Sequence, residues 1–522
     1  MRTTLALLLA PLLLLFVVLP ARADESLDAA RTSLEAVLTA PNEPLQRGRR
    51  VKTLLSIDTE DAAKVALQLL PAFAESQAKR EKAAHDVRER YEPYTGRSFK
   101  DPGAWDIKKR LQGEMDVADT AVRDEGVVAR TWVAGIAQMK SQEALAAFER
   151  GFSSLSHDHA KRIVAGGLVR NPDFASLADF AKKALRDSDP GVRLVTLQGL
   201  AQQKDPSTVD LCIKALKEKG WPHRLAAAEA LAGIGDPNAI APLVDAMAVE
   251  EGRLIEDYAD ALAALTGEQL GAEPAAWRAW YEDNKEKLAE QGAKPKNTKR
   301  VKKLDRTVVD FYGVKTRSRR VMFLIDISGS MKDPLEEEPR GPTTGDEEEE
   351  MLKGPKIEVA KRLLKQAIRN LSEETYFNII TFNHVVKTFQ PNMIEAKQDN
   401  KNAAYLMIND LEPMGATFTY GALKESFRLG GRGVSDRAYD PGVDTIILLS
   451  DGAPTNDDID NAEPMEPKKI LEQVKEWNGL SKVKIHTIAI DPGLSGGGFH
   501  KFMKALAGQN GGTYTPIGKK GR

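Results

Sequence analysis

FLIDISGSMKDP, residues 323–334, decides how the C-terminal half of the chain folds. Five apolar residues, Val321 to Ile325, run straight into Asp326. An unbroken apolar run of this length reads as a strand covered on both faces, with the acid delivered to the rim of its sheet. Ser328 and Ser330 follow at alternate positions around Gly329, and their hydroxyls call for a chemical reason.

Outward from this stretch the pattern alternates. Strands are expected over 320–326, 376–382, 444–450, 484–490 and 512–517. Helices are expected between and after them, over 357–371, 402–411, 420–427, 467–477 and 499–507. Such alternation predicts an α/β doubly wound, mostly parallel sheet. Ligands of these sheets sit at the carboxyl ends of the strands.

Elimination narrows the chemistry. A serine nucleophile on a Gly-x-Ser-x-Gly elbow would have glycine, not Asp326, two residues before Ser328. A phosphate loop would need Gly-x4-Gly-Lys-Ser/Thr, and residues 326–334 do not contain it. Hydroxyls behind a strand-end acid suit a hard divalent cation: Mg²⁺, with Mn²⁺ and Ca²⁺ as alternatives. TIILLSDGAPT, residues 445–455, ends a second apolar run in Asp451, and MGATFTYGAL, residues 414–423, sets Thr417 on a Gly-flanked loop before a helix. The candidate metal ligands are therefore Asp326, Ser328, Ser330, Thr417 and Asp451. Two acids neutralise a divalent ion, the hydroxyls add neutral ligands, and one position stays open for an outside carboxylate.

With these elements in place, Val308 to Ile517 resembles a von Willebrand factor type A (VWA) domain. Asp326-Ile327-Ser328-Gly329-Ser330 matches the Asp-x-Ser-x-Ser element of that family's metal-ion-dependent adhesion site. Gly415-Ala416-Thr417 matches the loop that bears its threonine, and Asp451-Gly452 the element that bears its second aspartate. The resemblance implies that Ser328, Ser330 and Thr417 ligate the ion and that Asp326 and Asp451 act through water. It further implies a protein partner that offers an Asp or Glu to the ion. The domain is taken as 305–519. It departs from the family in an acidic insertion, 332–355, which reads as a solvated loop by composition.

The N-terminal half is periodic. Ile136, Leu168, Leu200, Leu231 and Leu262 stand 32, 32, 31 and 31 residues apart, each preceded by Gly or Ala. Asn171-Pro172, Asp205-Pro206 and Asp236-Pro237 recur in a second register, as capping and first-turn residues would. Each unit reads as helix, turn, helix, with the small residue letting its two helices approach. One unit cannot bury its face alone, so neighbours must stack into an all-α solenoid. Residues 125–288 resemble HEAT-like repeats, best over Leu225–Met247. Residues 24–124 read as helical but irregular. Trp277, Trp280 and Tyr281 read as core of a closing helix, and 289–304 as a linker.

Residues 1–23 read as a signal peptide: Arg2, the apolar stretch Leu5–Pro20 and a small-x-small site ending at Ala23. The chain is then expected to be exported, to the periplasm, cell surface or medium, with no stable membrane insertion after cleavage. Without them, 72 basic residues face 76 acidic ones, a balance that gives no general affinity for nucleic acid. Cys212, the single cysteine, lies on an apolar stripe and reads as a buried structural thiol. In His157-Asp158-His159, Asp158 reads as a helix cap rather than part of a metal pair. The expected function is non-enzymatic: recognition of a protein partner through a metal-bridged carboxylate. The alternative is a scaffold in which the helical repeats recognise the partner and the metal is structural.

Overall fold

The computed structural model describes residues 27–40, 43–94, 102–250, 253–291, 309–311, 314–335, 354–430, 442–456, 463–478, 483–490 and 496–517. The signal segment, most of the linker and most of the acidic insertion lie outside the described residues.

The N-terminal region is helical throughout. Its helices are α1 (Leu27–Glu35), α2 (Pro44–Leu55), α3 (Glu60–Tyr91), α4 (Pro102–Ala137), α5 (Gln142–Phe152), α6 (Asp158–Leu168), α7 (Leu177–Ala184), α8 (Pro190–Gln203), α9 (Val209–Ala215), α10 (Trp221–Ile234), α11 (Ile240–Val249), α12 (Leu254–Thr266) and α13 (Pro274–Gln291). All five periodic apolar positions, Ile136 to Leu262, are fully buried. Helices α4, α6, α8, α10 and α12 pack side by side in that order.

The small residues act between units rather than within one, contrary to the sequence expectation. A Cβ on Gly167 would lie 2.5 Å from the Ile136 Cβ, and one on Gly199 would lie 2.1 Å from the Val169 Cγ2. Each glycine thus seats its helix against the preceding repeat. The Asx-Pro pairs behave as turn residues. Asp205 and Asp236 accept from the backbone N–H groups of Ser207 and Asn238 at 2.9 and 2.8 Å. Asn171 reaches back to donate to the Ile136 and Met139 carbonyls at 3.0 and 2.8 Å.

Position 124/125, the expected border between irregular helices and repeats, falls inside the single 36-residue helix α4. One apolar core runs from Ala30 to Leu288 across that border. Asp158 is not a cap: it is the first residue of α6, with His157 before it and no side-chain capping bond. His159 lies buried 3.1 Å from Glu81. Cys212 is fully buried, and burial pushes its thiol up to about 12, as a structural cysteine requires. Trp277 and Trp280 pack edge to face in the core, 6.2 Å apart.

The C-terminal region holds a small antiparallel hairpin, β1 (Val309–Phe311) and β2 (Val314–Thr316), followed by the main sheet. Its strands are β3 (Arg320–Asp326), β4 (Tyr376–Phe382), β5 (Val386–Thr388), β6 (Ile394–Glu395), β7 (Thr445–Ser450), β8 (Lys484–Ile490) and β9 (Tyr514–Ile517), in the order β5-β4-β3-β7-β8-β9 with β6 also on β4. β4, β3, β7, β8 and β9 are mutually parallel, whereas β5 and β6 run antiparallel to β4. The two- and three-residue strands are too short to carry a readable period, which is why alternation in the sequence did not reveal them.

β3 is buried on both sides, and its residues divide between two cores. Val321, Phe323 and Ile325 join α14 (Lys356–Asn370) and α15 (Gln398–Asn409). Met322 and Leu324 join α16 (Thr419–Leu429), α17 (Pro467–Trp477) and α18 (Gly496–Gln509). This is the doubly wound, mostly parallel architecture that the alternation implied.

The solenoid meets this domain in two places. At the amino-terminal rim of the sheet, Arg253, just before α12, donates to the Asp444 carbonyl at 2.7 Å. Lys484 of β8 lies 2.9 Å from Asp257, and the Arg317 backbone N–H donates to Glu256 at 2.7 Å. On the flank, the Arg428 guanidinium of α16 stacks 5.1 Å from the Tyr91 ring, Lys424 pairs with Asp116, and Arg123 donates to Gln473 at 3.4 Å.

Candidate metal centre

Parallel strands deliver the ends of neighbouring segments to one rim. β3 and β7 are adjacent and in register, Ile325 opposite Leu449, so the following residues Asp326 and Ser450–Asp451 emerge side by side. Asp326 is fully buried. Its Oδ1 accepts from the Ser328 backbone N–H at 2.8 Å, and its Oδ2 accepts from Ser450 Oγ at 2.5 Å. A short 3₁₀ turn, Gly329–Lys332, then folds the two serines together. Ser328 Oγ and Ser330 Oγ lie 3.2 Å apart, and Ser330 Oγ donates to Asp451 Oδ1 at 2.8 Å.

The third loop is pinned from both sides. The Gly329 N–H donates to the Gly415 carbonyl and the Met414 N–H to the Ile327 carbonyl, both at 2.9 Å. Gly415 has φ +73°, and a Cβ there would strike His384 Nδ1 at 2.2 Å, so both the turn and the close approach need glycine. Thr455 bridges this loop to the Asp451 loop: its Oγ1 accepts from the Thr417 N–H, and its own N–H donates to the Thr417 carbonyl, both at 2.9 Å. A Cβ on Gly452 would stand 3.2 Å from Thr417 Oγ1 and 4.0 Å from Ser330 Oγ, so both hydroxyls border Gly452, the residue after Asp451.

Asp326, Ser328, Ser330, Thr417 and Asp451 are thus brought together at one rim. Ser330 is exposed, whereas Asp326, Ser328, Thr417 and Asp451 are buried, so the cluster opens to solvent on the Ser330 side. Burial pushes the Asp326 carboxyl up to about 7, and the Asp451 charge pushes the same way against the hydrogen bonds from Ser450 and Ser328. Two buried carboxylates with three convergent hydroxyls are an oxygen-only donor set, which fits a hard divalent cation. Among the described residues no group of three or more His, Cys, Asp or Glu residues could hold a metal ion, so hydroxyls must supply much of any coordination here.

Sequence reasoning missed three participants. Ser450 was read as the last strand residue, yet its hydroxyl holds Asp326. Thr455 ties two loops. Lys356, the first residue of α14, places its Nζ 3.0 Å from Asp451 Oδ2 with only 4% of its side chain exposed. It stands 26 positions beyond Ser330, behind the acidic insertion, and no spacing signals it.

Comparison with known proteins agrees with this architecture. The family model described as von Willebrand factor type A domain matches residues 346–515, and that described as HEAT repeats matches 177–263. The first match covers Thr417 and Asp451 but begins past Asp326. The chain is 25% identical over 199 residues to inter-alpha-trypsin inhibitor heavy chain H3 of Homo sapiens, covering 38% of this chain and 19% of that one. It is 26% identical over 206 residues to the voltage-dependent calcium channel subunit alpha-2/delta-4 of Homo sapiens, covering 39% and 15%. The chain therefore matches less than a fifth of the length of either relative. Among solved structures, a von Willebrand factor type A protein from Catenulispora acidiphila matches at 20% identity over 40% of each chain, with a TM-score of 0.28. The PilB minor pilin from Streptococcus sanguinis matches at 12% identity over 44% of this chain and 63% of that one, with a TM-score of 0.26. The two family models thus fall on the two regions of the structure: HEAT repeats within the helical solenoid and a von Willebrand factor type A domain over the parallel sheet.

Proposed function

We propose that this protein is an exported, non-catalytic interaction protein. In this reading its VWA domain holds a divalent cation through Asp326, Ser328, Ser330, Thr417 and Asp451. The observation that carries the reading is the meeting of three loops at one sheet rim, with two buried carboxylates, two serine hydroxyls in contact and the Thr417 hydroxyl bordering Gly452. When bound, the ion supplies an electrophilic position for a partner's Asp or Glu. The chain's own groups do the rest. Ser450 and the Ser328 N–H fix the Asp326 carboxylate, Thr455 fixes the Thr417 loop, and the open Ser330 side admits the partner. Residues 1–23 support export, and among the described residues no helix is long and apolar enough to cross a membrane.

The solenoid's contacts weigh against the scaffold alternative, because Tyr91 of α3, Asp116 of α4 and Glu256 and Asp257 of α12 all lie against the chain's own VWA domain. They also dictate the test. Isothermal titration of Mg²⁺ and Mn²⁺ belongs on residues 24–522, since the VWA domain alone would expose buried ion-pair partners. One-site binding is expected, weakened about tenfold or more in Thr417→Ala. Absence of binding in the parent would return the search to the helical repeats.

A further inference from the structure

His384 keeps a buried nitrogen without a partner. It sits in the turn between β4 and β5, two residues past Phe382, which stands opposite Asp326 in the sheet. The turn is held firmly at the carboxyl-terminal rim. The Asn383 side chain accepts from the Val385 N–H at 2.8 Å, and the Asn383 carbonyl accepts from the N–H of Phe418, next to Thr417, at 2.8 Å. Among the described residues no hydrogen bond reaches the His384 ring, and its Nδ1 is sealed from solvent. Buried polar atoms are rarely left in this state, and each needs an explanation.

The adjoining glycine supplies one. The place a Gly415 Cβ would take, filled here by a hydrogen, is 2.2 Å from Nδ1, 2.9 Å from Cε1 and 3.3 Å from Cγ. That Cα–H bond therefore aims at the edge of the ring, where Nδ1 carries either a lone pair or a proton. A lone pair accepts the C–H as a weak hydrogen bond, whereas an N–H would clash with it. Nδ1 is then the bare nitrogen, and in a neutral ring the proton stands on Nε2. Burial, with the Lys387 charge adding to it, holds the ring below the usual histidine range, so it is neutral at pH 7.

The ring is half-buried and meets solvent on the side away from Nδ1, so the Nε2–H faces outward at the rim. On the sealed side, the Gly415 carbonyl accepts from the N–H of Gly329, the residue between the two serines. A fixed, neutral donor thus stands across one glycine from the serine loop. We propose that His384 is a specificity-determining residue of this centre: its Nε2–H takes one oxygen of the partner's carboxylate while the ion takes the other. An Asp or Glu side chain offers lone pairs on both oxygens. An Asn or Gln amide held on the ion by its oxygen turns an NH₂ toward the same donor and is rejected. The inference rests on the metal reading above and deepens it.

The test has two steps on residues 24–522, with acetate as the carboxylate. Mn²⁺ is titrated first and read by water-proton relaxation, which tests the metal reading alone. Acetate is then added against chloride at equal ionic strength, which tests His384. In the parent, acetate displaces metal-bound water and lowers the relaxation, and chloride does not. His384→Asn keeps an acceptor at the Nδ1 position and deletes the Nε2 donor: Mn²⁺ affinity stays parental and acetate binds about tenfold more weakly. His384→Gln places an amide N–H near the Nε2 position and returns most of the acetate affinity. Parental acetate binding in His384→Asn overturns the proposal. So does His384→Gln binding acetate as weakly as His384→Asn, since a donor in the right place would then not matter. A loaded parent that ignores acetate overturns it too, as does a matching loss of Mn²⁺ affinity in His384→Asn, because the residue would then serve the loops and not the partner. If the parent takes up no Mn²⁺, the metal reading falls and this inference with it.

Discussion

At the amino-terminal rim of the sheet, Arg253, Asp257 and Asp444 are buried together beside the half-buried Lys484; at the carboxyl-terminal rim, Asp326, Asp451 and Lys356 are buried together. The first group is compensated from within the chain. Burial works to raise the Asp257 carboxyl, yet Arg253 and Lys484 hold it below the ordinary range. Arg253 reaches Asp257 at 2.9 Å and the Asp444 carbonyl at 2.7 Å, and Ser318 donates to the Asp444 carboxylate. The second group has two carboxylates and one ammonium, and burial and Asp451 push Asp326 up to about 7. One rim is closed by a partner domain on the same chain. The other gathers two carboxylates and an ammonium among hydroxyls, with the Asp326 carboxyl held well above its ordinary range, and that perturbation is the physical signature of a binding site.

This contrast can be broken or sharpened by substitution. The largest effect is expected at the closed rim. Arg253→Met removes the donor to the Asp444 carbonyl and leaves Asp257 with Lys484 alone, and should lower the unfolding free energy by about 3 kcal/mol in a urea titration. Mn²⁺ affinity should stay at the parental value. A loss of metal binding comparable to the loss of stability would mean that the two rims are not independent.

Acid should act on the two rims in opposite directions. His486 is held down to about 4 by burial, with Lys484 and Arg253 adding to the effect. Its Nδ1 accepts from the Thr513 N–H at 3.1 Å, which fits a neutral ring. The unfolded chain gains that proton near pH 6.5 and the folded chain does not, so this group costs stability as pH falls, by about 3 kcal/mol over the whole window. Asp326 does the reverse in the metal-free protein. Its folded form takes a proton near pH 7, well before the unfolded chain does, so its penalty is relieved as pH falls. Glu229, which burial also pushes up to about 7, acts in the same direction as Asp326, so His486→Gln should make the metal-free protein gain more stability between pH 7.5 and 5.5 than the parent does. A profile that still falls toward acid would show that neither Asp326 nor Glu229 is held above the ordinary carboxylate range by burial.

The smallest effect carries the most telling sign. Asp326→Asn keeps acceptor and donor capacity for the Ser328 N–H and Ser450 Oγ but removes one of two crowded charges. It should stabilise the metal-free protein by about 1–3 kcal/mol at pH 8 while abolishing Mn²⁺ binding. Removal of a charge would thus cost stability at one rim and add it at the other. Destabilisation by Asp326→Asn, measured beside Arg253→Met, would erase the distinction.

Much of the candidate site was legible because its pieces are local. Asp326, Ser328 and Ser330 fall within five residues, Thr417 sits behind a glycine before a helix, and Asp451 ends an apolar run. Their contexts follow from strand periodicity and turn chemistry, which short windows contain. Ser450, Thr455 and Lys356 were not legible. Each acts on a group brought near only by strand order or loop crossing, and Lys356 even contradicts the local preference at its position. The repeat period was legible for the same reason as the strands, but the partner of each small residue was not: Gly167 meets Ile136 of the preceding unit, a contact that spacing alone cannot assign.

By itself the sequence determined the fold class of each half, the solenoid period, the order of the five parallel strands along the chain and the identity of the oxygen-bearing residues, because each of these is written in local periodicity and residue type. Only the tertiary structure decided which strands are neighbours, that one rim is closed by α12 while the other stays open, and that a lysine from beyond the acidic insertion stands against Asp451. Those are long-range pairings of buried charge. They depend on where the chain folds back on itself, which no single stretch of residues encodes.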